Sequence, residues 1–181
     1  MKFKKLYPQL KITLITRDEK EHWNKLVSGS IDVIVDAEPK VSNQWDSHVL
    51  YTDVFNFFVA KNYKMKDDAI DLIYVDKAYD QDGLTIRDHC IQHKIKFKEN
   101  YKLDTFLSVK SFALNGLGVA VLPERLVQLD VEQGQLKRFP VKGFPAKGFG
   151  KHRICFSIPP SSKIDARILL LKKEMRSFLV E

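Results

Sequence analysis

Twice along this chain an amphipathic helix runs into a glycine and then, almost at once, into a short, compact apolar strand. In the first instance Trp23, Leu26 and Val27 fall at i, i+3 and i+4, Gly29 stops the helix, and residues 31–35 form a β-branched run broken only by Asp32. In the second, Phe106, Val109, Phe112 and Ala113 repeat at helical spacing, Asn115-Gly116 ends the helix, and residues 118–122 form the strand. Pro123 then opens a further turn of helix. Strands this short and this uniformly apolar predict burial on both faces, the environment of a parallel strand in an α/β sheet. Residues 10–15, after Tyr7-Pro8, read as a strand too. The front of the chain is then strand–helix–strand, and its handed crossover places both strands in one sheet. Thr16 with Glu19 matches the capping box expected where that helix starts.

The rest of the chain repeats the alternation. Residues 49–51, 54–60, 72–75 and 95–101 read as extended, and residues 86–91 as helical. Asp104 or Thr105 caps the helix that carries Phe106. Gly134 and Pro140 bracket a short strand, and residues 153–158 form another. Ser162-x-x-Asp165 opens a long final helix with Ile164, Ile168, Leu171, Met175 and Phe178 along one face. After residue 60 the composition turns to the lysine- and aspartate-rich KNYKMKDD, which marks a lobe boundary. The expected organisation is a first lobe of residues 1–58 with 141–181 and a second lobe of residues 59–140. Two α/β lobes leave a cleft, and clefts are where small ligands bind.

Composition removes several classes of function. Twelve Phe, six Tyr and two Trp spread along 181 residues exclude an intrinsically disordered chain. The longest apolar runs, such as residues 168–171, are far too short to span a membrane, and MKFKKLYPQL has no signal-peptide core. Cys90 and Cys155 cannot staple a secreted mini-fold and suit a reducing cytoplasm. The formal charge of +7 raises the question of nucleic acid. Its cations, however, stand singly among apolar residues, as in KIKFKENYK, and the pattern reads as a solvated surface.

Candidate chemistry is sparse. Gly116-Leu117-Gly118 ends a helix and enters a strand, the reverse of the polarity a dinucleotide-binding turn requires. His89 and His93 stand four apart on a helix, yet no HExxH pattern or nearby third ligand accompanies them, and they read as a partly exposed helix face. No G-x-S-x-G elbow and no cysteine nucleophile motif occurs, and Asp67-Asp68 reads as a solvated turn. Ligands in open α/β sheets bind just outside the carboxyl ends of strands. That places Asp36 and Glu38 after the first-lobe strand and Val75 and Asp76 after the second-lobe strand at the cleft. Thr105-Phe106 joins them as a helix start whose free N–H groups favour an anion. The acids on one wall and the helix start on the other leave the ligand's charge open.

These residues also carry a family likeness. LYPQLKITLITRDEKEHWNKLVSGSIDVIVDAEP resembles the effector-binding domain of LysR-type transcriptional regulators in its Tyr7-Pro8, its helix running into Gly29, and its Gly29-Ser30-Ile31-Asp32-Val33. SVKSFALNGLGVAVLPERLV is similar to the family's helix followed by Gly-Leu-Gly and a strand ending in Leu-Pro, here Gly116 to Pro123. The closing strand and long helix match as well. The resemblance implies a periplasmic-binding-protein-like α/β fold of type II, with two lobes and a small metabolite sensed between them. The implied effector contacts are Asp36, Ala37, Asp76, Thr105 and Phe106. It further implies no enzyme activity, no cofactor, no metal and no membrane partner, and a cytoplasmic homodimer or higher homo-oligomer. DNA is implied as a partner only through an N-terminal winged helix-turn-helix, which has no counterpart in these residues, nor does the opening strand of the effector domain. A free-standing solute-binding protein is the alternative on the same fold.

Overall fold

In the computed structural model, residues 5–15, 19–37, 41–65, 68–80, 82–163 and 165–180 are described. In chain order the elements are α1 (Glu19–Val27), β1 (Ile34–Ala37), β2 (Asp46–Ala60), β3 (Ile70–Val75), α2 (Ile86–Gln92), β4 (Phe97–Leu103), α3 (Phe106–Leu114), β5 (Val119–Pro123), α4 (Glu124–Glu132), β6 (Leu136–Arg138), β7 (Phe149–Ile158) and α5 (Ala166–Val180). The chain divides into two compact units. Unit 1 comprises Met1–Tyr51 with Ile154–Glu181, and unit 2 is Thr52–Arg153. β2 and β7 each contribute residues to both units.

Unit 2 is built on three parallel strands. β3 pairs in parallel with β4 (Val75 opposite Leu103) and with β5 (Leu72 opposite Val119), while β2 runs antiparallel to β5 (Phe55 opposite Pro123) and to β6 (Val59 opposite Lys137). All six residues of β3 but one, and all five of β5, are buried, as their apolar runs require. One face packs Phe55, Phe57, Val59, Leu72 and Tyr74 against Ile86 and Cys90 of α2 and against Phe149. The other packs Phe58, Ile73, Val75 and Leu122 against Val109, Ala113 and Val127 of α3 and α4. Each Val, Leu, Ile or Phe among them contributes roughly 1.5–3 kcal/mol on leaving water.

The two glycines after α3 do different work. Gly116 takes φ +72°, and the N–H groups of Gly116 and Leu117 donate to the carbonyls of Ala113 (2.9 Å) and Phe112 (3.2 Å), closing the helix end. Gly118 instead makes room. A Cβ there would lie 2.3 Å from the backbone oxygen of Asp71 on β3, so only glycine lets β5 begin beside that strand.

Unit 1 departs from expectation at two places. Residues 10–15 form no strand, and beyond half-buried Leu10 their side chains are exposed, Ile12 by 55% and Leu14 by 82%. A lone extended segment leaves its backbone groups to water, and only pairing would have fixed it as a strand. Among the described residues β1 is an end strand that pairs antiparallel with β7 (Ile34 opposite Ser157, Ala37 opposite Ile154). Ile34 is therefore buried while Val35 is exposed, an alternation in place of the two-faced burial that residues 31–35 suggest.

α1 forms as its spacing predicts, with Leu26 wholly buried and Gly29 at φ +74° past its end. Thr16 of the expected capping box lies outside the described residues. Trp23 of α1 packs against Trp45, their ring centres 4.5 Å apart and their planes tilted by 32°. Asp165 accepts from the Arg167 N–H (2.9 Å) at the start of α5, and Ile168, Leu171 and Met175 of that helix pack on Leu50, Phe156 and Ile158. Ile164 and the side chain of Phe178, expected on the same face, lie outside the described residues. Lys172, Lys173 and Arg176 line a groove along α5 with Leu169. Burial first, and then Lys172, lower the pKa of His48.

Candidate functional site

The parallel pairing brings the carboxyl ends of β3, β4 and β5 to one edge of the unit 2 sheet, where open α/β sheets take their ligands. Because β2 runs the other way, its residues 53–55 reach the same edge. Asp76, directly after β3, is exposed, with its Oδ1 3.9 Å from Lys102 Nζ. Val75, expected beside it, is instead part of the core. Thr105 caps α3. Its Oγ1 accepts from the Ser108 N–H (3.2 Å) and lies 2.9 Å from Ser108 Oγ. Phe106 is half-buried, 5.8 Å from Phe55. The structure thus gathers Asp76, Thr105 and Phe106 at one edge of unit 2. Asp36 and Ala37 belong to unit 1, where they end β1 and the Ala37 N–H donates to Asp36 Oδ1 (2.7 Å). Glu38 lies outside the described residues.

Sequence reasoning misses three residues at the unit 2 edge. Asp53, only 7% exposed, accepts from its neighbour's Val54 N–H on Oδ1 (2.8 Å) and from the Arg125 N–H in the first turn of α4 on Oδ2 (3.4 Å). Phe55 stacks face to face with His152 at 4.6 Å, and His152 is 4% exposed. Asp53 hides in the sequence because Thr52-Asp53 reads as the gap between two strands. His152 hides between Lys151 and Arg153. The one available signal is an isolated acid within an otherwise strand-forming run.

Burial raises the pKa of Asp53 above its ordinary value of 3.8, against the lowering effects of the two N–H groups and of His152. The folded chain therefore holds that proton more tightly than the unfolded chain. Its contribution to stability is fully present below about pH 4, is lost as pH rises through the raised value, and is constant above it. The expected outcome for Asp53→Asn is a melting temperature that gains on the natural chain as pH climbs from acid to neutral. Parallel pH profiles for the two proteins would refute the assignment.

His89 also differs from expectation. It is buried rather than lying on a partly exposed helix face, and its Nε2 meets Asp80 Oδ2 at 2.8 Å. Asp80 Oδ1 accepts from the N–H groups of Asp82 and Leu84, both at 2.9 Å, so one carboxylate fastens the loop after β3 onto α2. Thr85 and Asp88 complete a reciprocal capping box at the start of α2. Burial pushes the Cys90 thiol up to about 12, where it is an inert core side chain.

Parallel strand ends, two helix starts and a carboxylate meet at one edge of this α/β unit. The sequence matches the family model for the LysR substrate binding domain over residues 1–177, and the chain belongs to that family, with its periplasmic-binding-protein-like fold of type II. This family is a regulatory effector-binding domain of transcriptional regulators, which are not enzymes. Solved structures agree on the fold. The regulatory domain of CrgA, a LysR-type transcriptional regulator from Neisseria meningitidis, is 14% identical with a TM-score of 0.74, the match covering 98% of this chain and 88% of that one. The apo regulatory domain of HypT from Salmonella typhimurium is 16% identical with a TM-score of 0.71, over 97% and 86% of the two chains. The CcmR regulatory domain of Synechocystis, in complex with 2-PG, is 12% identical with a TM-score of 0.67, over 98% and 87%. No curated protein matches the sequence. No helix among the described residues is long and apolar enough to cross a membrane.

Proposed function

We propose that this chain is the ligand-sensing domain of a LysR-type transcriptional regulator, binding a small metabolite between two lobes and thereby changing DNA binding by the full-length protein. The lobes are residues 1–58 with 141–181 and residues 59–140. Asp36 and Ala37 contact the effector from the first, and Asp76, Thr105 and Phe106 from the second. The observation that carries this reading is the convergence of three strand carboxyl ends and the α3 start at one edge of unit 2. The protein works in the cytoplasm as a homodimer or higher homo-oligomer, and DNA is bound by a separate N-terminal module. Sensing requires that the effector favour one lobe arrangement over another, since equal affinity shifts nothing.

A thermal-shift screen of small metabolites, with 2-PG of the CcmR complex among them, tests the reading. A bound effector raises the melting temperature by mass action. Thr105→Ala, which removes a cap worth ~1 kcal/mol, lowers the baseline and should also abolish the ligand-induced rise. An undiminished rise in Thr105→Ala, with none lost in Asp76→Asn or Asp36→Asn, places the effector elsewhere.

A further inference from the structure

We propose that the groove along α5 is a second ligand site, one that takes a small diphosphate-bearing anion on Lys172, Lys173 and Arg176. The groove is open, measures about 510 Å³, and is lined among the described residues by Leu169, Lys172, Lys173, Arg176 and Ser177. That volume is within the range of small-molecule sites. The five residues stand at i, i+3, i+4, i+7 and i+8, so they form one stripe of the helix, about 12 Å long by its rise per residue. The stripe belongs wholly to unit 1 and shares no residue with the effector contacts proposed above, so neither reading depends on the other.

An ordinary solvated helix face would alternate these cations with acids, since like charges one turn apart weaken a helix. Here the acids of the region are engaged elsewhere. Asp46 pairs with Lys163 (3.0 Å), Asp165 pairs with Arg167 (2.7 Å), and Glu174 accepts from the Tyr7 hydroxyl (3.3 Å). Among the described residues no acid comes within ion-pair distance of Lys172, Lys173 or Arg176. From β2, the face that packs on α5 through Leu50 carries only His48 and the Lys163-bound Asp46. The helix dipole does not account for the cations either, because it acts within the last turn and no basic residue stands there. Lys172 is half-buried, a costly position for an unpaired ammonium, and burial first, then the Arg176 guanidinium, hold its pKa below the ordinary value. Three cations on one wall match a ligand of two or three negative charges, whereas a single carboxylate would leave their repulsion largely in place. Arg176 supplies a two-pronged fork for phosphoryl oxygens, and the lysines supply point charges. Leu169, 46% exposed, and the lysine stems offer an apolar bed to the group the diphosphate esterifies. No aromatic ring lines the groove among the described residues, and the stripe is a single helix face, while nucleic-acid surfaces spread further and present rings for stacking.

Calorimetric titration of the whole chain with inorganic pyrophosphate at fixed ionic strength tests this. The expected result is one saturable site, which sulfate at the same ionic strength fills more weakly. Arg176→Gln and Lys172→Gln should each raise the Kd about tenfold, the loss of one charge-assisted contact. Arg176→Lys should recover only part of that loss, because a point charge lacks the fork. Lys137→Gln, at an exposed lysine of unit 2, should leave the Kd unchanged. Should a groove variant fail to fold, the natural chain decides alone, because pyrophosphate must then shift the Arg176 side-chain resonance in a nitrogen-resolved NMR titration. An unmoved Arg176 resonance, equal affinities for sulfate and pyrophosphate, or an equal loss in Lys137→Gln would mean diffuse surface charge only and overturns the site. A DNA duplex held more tightly than pyrophosphate, and released by the same groove variants, overturns it in favour of a nucleic-acid contact.

Discussion

Gly118→Ala should unfold unit 2 or cost it at least the upper end of the ~1–3 kcal/mol typical of overpacking. The added methyl would sit 2.3 Å from the Asp71 backbone oxygen, with the Asp71 carbonyl carbon and Cβ each 3.2 Å away. Neither strand can give way easily, because β3 is held by β4 on its other side and β5 by β2. Gly116→Ala is the natural comparison. Its nearest neighbour would be the Ala60 Cβ at 4.0 Å, so only the left-handed backbone resists it, at about 1–2 kcal/mol. Urea unfolding followed by circular dichroism measures both. Equal losses for the two glycines would show that close approach to β3 is not what Gly118 provides. Since a total stability of ~5–15 kcal/mol is usual, the first variant is expected to express poorly and the second to survive.

Asp80→Ala should cost about 3–5 kcal/mol, as when one member of a buried hydrogen-bonded pair is removed. The change strands His89 Nε2 and the N–H groups of Asp82 and Leu84 at once. Asp80→Asn keeps the side-chain shape and an oxygen for the two backbone donors, so most of the loop's hold on α2 should persist and the loss should be markedly smaller. Because this loop begins at Asp76, the alanine variant should also weaken any effector response that depends on Asp76. Comparable stability of the alanine variant and the natural chain would mean that water replaces the carboxylate, and that the loop is not anchored there.

What the sequence discloses follows from how local each constraint is. The end of α3, the glycine turn and the entry into β5 are all decided within about ten residues, and residues 106–123 fold as their pattern predicts. Thr105 is legible for the same reason, since a cap acts on the N–H three residues ahead. β1 is not, because whether a strand is central or terminal depends on neighbours far along the chain. Apolar residues 31–35 look doubly buried, yet among the described residues β1 has β7 on one side and no further strand in the sheet order. Residues 10–15 fail similarly, for alternation proposes a strand and only a partner makes one. At residues 52–53 the error runs the other way. A polar pair that would break an isolated strand is carried through β2 because Asp53 finds backbone donors on its own strand and on α4. The residues missed by the sequence are those with long-range partners: Asp53, Phe55 and His152 at the unit 2 edge, and the Asp80 that holds His89.

Both of the protein's tryptophans lie in the contacting pair of unit 1, and unit 2 contains none. Selectively excited indole emission is therefore a regional thermometer. It follows the packing of α1 on the segment before β2 and is silent about the Gly118 and Asp80 lesions unless the two units melt together. Circular dichroism sees both units. The gap between an emission midpoint and a dichroism midpoint, read on one sample without any label, is thus a direct gauge of how cooperatively this chain behaves.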